Sequence, residues 1–187
     1  MQLYGNRLRE AIWAISNITA GNTEQIACAL DNERLVEILM FYLTEGDLRT
    51  QKEAIWAFSN AATGGSVYQC RFLLDLGVAV GLCEALESHQ GSFDLHTTVY
   101  NALDSLLASA GPGECGQFQH CRILEHVGLF EKLLAVLDDR GVPWHTRQRA
   151  AHLMDTYGLP YRRNARPRGA GDAEFRFVRD AYECGRG

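Results

Sequence analysis

The chain has no apolar run close to the roughly 20 residues that a bilayer-spanning helix needs, so no segment reads as one. Its opening residues, "MQLYGNRLRE", lack the apolar stretch of a secretory signal. A soluble intracellular chain is the default expectation. Strand–turn signals are missing, which argues against a β fold. There is no P-loop, no G-x-S-x-G and no H-E-x-x-H. No catalytic residue, no cofactor and no enzyme activity are therefore expected. The "ATGGS" at 62–66 has the glycines of a phosphate loop, but it follows a helical pattern rather than a strand and reads as a helix stop. Lysine is scarce: Lys52 and Lys132 are the only two, a compositional bias rather than a functional mark.

Six cysteines are present, Cys28, Cys70, Cys83, Cys115, Cys121 and Cys184, and several fall inside apolar helical patterns. Reduced core thiols fit this better than a disulfide framework. Cys115, His120, Cys121 and His126 invite a zinc reading. Their spacing departs from the usual finger patterns, and much of it lies on one helix with an apolar face to fill, so no metal is expected. Charge is divided along the chain. Residues 1–161 carry 11 Lys+Arg against 19 Asp+Glu, whereas residues 162–187 carry seven Arg against four acids. An acidic body argues against nucleic acid as the main partner and suits a basic ligand.

What the chain does contain is a repeat. "REAIWAISNITAGN" at 9–22 returns as "KEAIWAFSNAATGG" at 52–65, a step of 43 residues. "TTVYNALDSLLASAG" at 97–111 is a third copy, with Asn101 at the Trp position and Ser105 at the Asn position. "RQRAAHLMDTYG" is a fainter fourth, with His152 and Thr156 there. Between the copies, residues 33–43, 78–88 and 128–139 place apolar side chains at i, i+3, i+4 and i+7, the helical period. Shorter helical pieces precede them at 23–30, 67–77 and 118–128, the last two ending in glycine. Each unit reads as short helix, helix, long helix. Three helices in roughly 40–47 residues is the armadillo period. The sequence opens inside a third helix, "YGNRLREAIWAISNITAG", whose upstream face would need covering, so a piece of a longer array is expected.

On a helix, residues i and i+4 share a face. Trp13 with Asn17, and Trp56 with Asn60, therefore point the same way, with Glu10 and Glu53 three residues before each Trp on that stripe. An Asn amide offers both a donor and an acceptor to an extended peptide backbone. Two Trp rings from adjacent repeats form a slot for a Lys or Arg stem, with a cation–π gain of about 0.5–2 kcal/mol. Glu at the slot end meets the cationic tip. Repeats stacked about 8–10 Å apart match about three extended residues at ~3.3 Å each. A single Trp on an amphipathic helix is ordinarily core. Two copies in register, lost from copies that keep the helix, point to a ligand instead.

These residues resemble importin-α, the adaptor family for nuclear localisation signals. "REAIWAISNITAGN" and "KEAIWAFSNAATGGS" resemble the inner helices of its later armadillo repeats, "FLLDLGVAVGLCEAL" its next repeat and "AAHLMDTYG" its last helix. The similarity is strong over 7–108 and collinear to about 158. It implies an all-α, right-handed superhelical solenoid of about three to four armadillo repeats over residues 1–158, the first incomplete, followed by a basic tail over 159–187. It implies binding of Lys/Arg-rich signal peptides at the family's minor site, carried by Trp13, Asn17, Trp56 and Asn60, with Glu53 and Glu10 meeting basic side chains. Signal-bearing cargo proteins, residence in cytoplasm and nucleus, and the family's export receptor as a further partner follow from it, without nucleic acid or membrane. The family's major site and its importin-β-binding segment have no counterpart in this sequence. Its C-terminus tends to be acidic, whereas here it is "PYRRNARPRGAGDAEFRFVRDAYECGRG". The alternative is a generic armadillo scaffold without signal-peptide binding. In the tail, "YRRNARPRG" at 161–169 reads as a solvated linker or as an imitation of a basic signal, and residues 173–182 as a terminal capping helix.

Overall fold

The computed structural model describes residues 2–111 and 116–158, with side chains from Arg7 onward. Among these residues every regular element is helical. One long helix, α1 (Gln2–Thr19), is followed by three groups of the same order. The first is α2 (Thr23–Leu30), α3 (Glu33–Glu45) and α4 (Leu48–Gly64). The second is α5 (Val67–Asp75), α6 (Val78–Ala85) with a 3-10 turn (Leu86–His89), and α7 (Phe93–Ser109). The third is α8 (Gln117–His126), α9 (Leu129–Asp138) and α10 (Trp144–Leu153) with a π turn (Met154–Gly158). The long helices stack in series, α1 on α4, α4 on α7 and α7 on α10. This arrangement is compatible with an armadillo-type solenoid.

Local chemistry explains where the helices start and stop. Asn22 and Ser66 begin α2 and α5 with reciprocal capping boxes, closed by Gln25 and Gln69 three residues on. Gln69 does more: its Nε2 donates to the Thr23 carbonyl at 2.9 Å, linking equivalent helix starts in successive groups. Asp47 caps α4 by accepting from the Thr50 amide and hydroxyl and, more weakly, from the Arg49 amide, which holds its carboxyl below the usual range. Gly77 and Gly128 take left-handed backbone, φ 80° and 76°, and end α5 and α8 where the sequence places the stops. Gly81 serves packing instead. A Cβ there would lie 2.7 Å from Leu43 Cδ2, so its absence lets α6 settle on α3.

The long helices supply the core. α4 buries Ala54, Ile55, Ala57, Phe58, Ala61 and Ala62, a face of mostly small side chains that lets α1 and α7 approach from either side. Tyr100, Leu103 and Leu106 continue it on α7. Cys70, Cys83 and Cys121 are buried free thiols, as expected, whereas Cys28 is exposed. Burial pushes the Cys83 and Cys121 thiols up to about 11 and about 12.

Two expected boundaries move. The helix read through residue 88 ends at Ala85 and tightens into the 3-10 turn, a common way to close a helix. The fourth long helix is regular only over Trp144–Leu153 and passes into the π turn at Met154–Gly158. The tail readings at 161–169 and 173–182, together with Cys115 and Cys184, lie outside the described residues.

A buried polar chain joins these elements. Gln51 Nε2 donates to the Leu43 carbonyl at 2.8 Å, which leaves its Oε1 to accept from His89 Nε2 at 3.0 Å. His96 Nε2 in turn donates to the His89 carbonyl at 3.1 Å. Burial pushes both imidazoles below their ordinary value of 6.5. They are neutral in the fold and take up protons once unfolded, so the stability they contribute is complete above pH 6.5. It is lost as pH falls from 6.5 towards their depressed native values. The urea midpoint is expected to fall over that window, and His89→Gln/His96→Gln should flatten the fall. A profile equally steep in the double variant would contradict this assignment.

Candidate functional site

The sequence-marked side chains divide between two kinds of environment. Trp13 is 52% exposed, so it is not a core residue. It lines a groove of about 310 Å³ between α1 and α4, together with Arg9, Glu10, Arg49, Lys52 and Glu53. Glu10, Trp13 and Glu53 are thus brought together as the spacing predicts. Trp56 is half-buried against the core and is not part of this lining.

Each asparagine has one bond from its amide NH2 group. Asn17 Nδ2 donates to the Trp13 carbonyl at 3.1 Å, a bond within its own helix. Asn60 Nδ2 donates to the Ser16 carbonyl at 3.0 Å, tying α4 to α1. The amide oxygens of both have no hydrogen-bond partner among the described residues, so each keeps an acceptor for a backbone N–H.

Three cations in the groove were missed by a search for Trp, Asn and Glu. Arg9 Nη2 pairs with Glu10 Oε1 at 3.0 Å. Arg49 and Lys52 form no ion pair among the described residues, and neither does Glu53. The signal was present in the sequence. Arg9 and Lys52 each stand four residues before a Trp, and Arg49 seven before Trp56, all helical spacings.

The third and fourth copies build something else. Asp104 stands on α7 at the position that Ser16 and Ser59 occupy in the first two copies. Tyr157 donates its hydroxyl to Asp104 Oδ1 at 2.9 Å and lies 3.3 Å from the Asp104 carbonyl, while His152 Nε2 is 3.3 Å from Oδ2. The bond to the Asp104 carbonyl repeats the Asn60–Ser16 tie with a different donor. A π turn holds more residues than an α turn, so Tyr157 takes a contact that the plain count assigns to Thr156. Burial is the main cause that pushes the Tyr157 hydroxyl above its ordinary value.

For the zinc reading, no three His, Cys, Asp or Glu gather to hold a metal among the described residues, and Cys115 lies outside them. His126 Nδ1 sits 2.9 Å from the Arg122 carbonyl of its own helix. The "ATGGS" stretch ends α4 at Gly64 and starts α5 at the Ser66 cap, as a helix stop should.

No protein-family model matches the chain. Importin subunit alpha-5 of Arabidopsis thaliana is 44% identical to it over 78 residues. That stretch is 42% of this chain and 15% of the relative's length. The likeness supports an importin-α-like, armadillo-type relationship over that stretch.

The two asparagines should separate on substitution. Asn60→Ala removes a partly buried bond between helices and is expected to cost about 1 kcal/mol, read from the urea midpoint. Asn17→Ala removes an exposed bond within one helix and should stay within about 0.5 kcal/mol of wild type. Equal losses would contradict the tie.

Proposed function

We propose that this chain is an armadillo-type peptide receptor of the nuclear-import adaptor kind, performing no chemistry. In this reading α2–α4, α5–α7 and α8–α10 are three repeats and α1 is the last helix of a fourth, wound as a right-handed superhelix. An extended peptide lies across α1 and α4. A Lys or Arg stem rests on the Trp13 face, and its charged tip reaches Glu53 or Glu10. Asn17, Asn60 and Trp56 complete the site beyond the lining of that groove: the amide oxygens take peptide N–H groups, and the half-buried Trp56 meets the peptide where it crosses α4.

The observation that carries this reading is the half-exposed Trp13 indole beside two carboxylates in one groove. A large exposed aromatic next to acids is a surface for a cationic stem. The likeness to an importin subunit lends support over the stretch it covers. Signal-bearing cargo, the family's export receptor as a further partner, and movement between cytoplasm and nucleus belong to the same proposal. A scaffold that binds an unrelated partner is the second reading. It draws on Asn60, one of whose two amide N–H groups already serves the fold.

Anisotropy titration of a labelled bipartite-type basic peptide decides between them. Trp13→Ala is expected to weaken binding about threefold to thirtyfold, the range a cation–π contact spans. Trp13 is the better probe than Asn60, because Asn60→Ala also loosens α4 from α1. Affinity unchanged by Trp13→Ala, or no binding by folded protein, would favour the scaffold.

A further inference from the structure

The groove is not simply acidic. Its lining holds three cations, Arg9, Arg49 and Lys52, against two carboxylates, Glu10 and Glu53. Each Trp copy places a cation four residues before the Trp and a carboxylate three before it: Arg9 and Glu10 ahead of Trp13, Lys52 and Glu53 ahead of Trp56. Successive residues of a helix diverge by about 100°, yet all four side chains of these two dyads line the groove, so it carries both signs of charge from each helix. The first dyad is closed on itself by the 3.0 Å pair between Arg9 and Glu10. The second is open. Glu53 and Lys52 have no ion pair among the described residues, and Arg49 has none within pairing distance, although, after the Thr50 bonds, its charge helps to hold the Asp47 carboxyl low.

An uninterrupted basic run laid here would satisfy Glu53 but bring further positive charge against Arg49 and Lys52. Like charges brought together at a binding surface count against the ligand. A peptide with a carboxylate next to its basic side chain meets both signs. We infer that this groove selects peptides of mixed charge, in which the Lys or Arg resting on Trp13 is followed or preceded within about three residues by Asp or Glu. The basic side chain pairs with Glu53, and the acidic one with Lys52 and Arg49. The distance limit comes from the geometry of extended chain, where same-side residues recur every ~6.6 Å, comparable to the separation of neighbouring side chains on α4.

This inference rests on the peptide-receptor reading, and its test separates the two. Three labelled peptides of equal length are titrated by anisotropy against the full chain at low ionic strength. One has a single Lys among neutral residues, one has Lys with Asp two residues away, and one has a second Lys in place of the Asp. The mixed peptide is expected to bind about twofold to fivefold tighter than the double-basic one, the scale of an exposed ion pair. Arg49→Gln/Lys52→Gln changes two exposed side chains and leaves the core untouched. In that variant the ranking should reverse, and at high salt the difference in wild type should shrink. If all peptides bind through Trp13 but the double-basic one binds best in wild type and variant alike, the charge-pattern inference is overturned while the receptor reading stands. If none binds, or Trp13→Ala changes nothing, both fall together.

Discussion

The fold depends on how closely its long helices can stack. α4 stands between α1 and α7 and buries alanines at 54, 57, 61 and 62, which recur at helical spacing and project little beyond the backbone. Helices with bulky contact faces sit towards the wider end of the 8–10 Å packing range, and small ones towards the closer end. Close stacking is what brings the Asn60 amide within 3.0 Å of the Ser16 carbonyl, and what lets side chains of α1 and α4 share a groove. The shorter helices fill the remaining side: Leu39 and Leu43 from α3, Leu73 from α5 and Leu82 from α6 are all buried in the same core.

A groove on stacked helices has a fixed character. Its chemistry comes from residues at three- and four-residue spacing, because only those share a face. This is why the acids, the cations and the indole arrive together from two short stretches of sequence. It also explains the change of character at the third copy. With Asn101 and Ser105 in place of Trp and Asn, the stripe has no aromatic face, and its carboxamide stands at the Trp position instead of the Asn position. The next interface is closed by Asp104, His152 and Tyr157, which satisfy one another across α7 and α10.

Much of this was legible in the sequence. The span 23–30 was readable to the residue, because Asn22 and Gln25 form a capping box and apolar spacing fills the interval. The stops at Gly77 and Gly128 were readable because left-handed backbone favours glycine. The shared face of Glu10 and Trp13 followed from helical geometry, and the arrival of Glu53 beside them from the stacking of α1 on α4 that the repeat implied. Other features needed coordinates. Trp13 and Trp56 carry the same local motif, yet one is half exposed and the other packs on the core. The π turn depends on backbone bonding that no residue type announces. Arg9, Arg49 and Lys52 were on helical spacing from the Trp residues, but charged residues on a helix surface are too common to stand out without the groove that gathers them.

The bond from Asn60 to Ser16 gives the molecule a mechanical property as well as a chemical one. It is a strut between two successive long helices, placed beside the groove itself. A peptide that used only the oxygen of that amide would leave the strut in place and find a rigid surface. One that competed for the same N–H would have to release α4 from α1, and part of its binding energy would go into flexing the stack, whereas the second N–H of the amide can be used with the strut intact. Stiffness and occupancy are thereby coupled through a single carboxamide, and whether a ligand competes for the N–H already given to Ser16 sets whether the array bends when it is loaded.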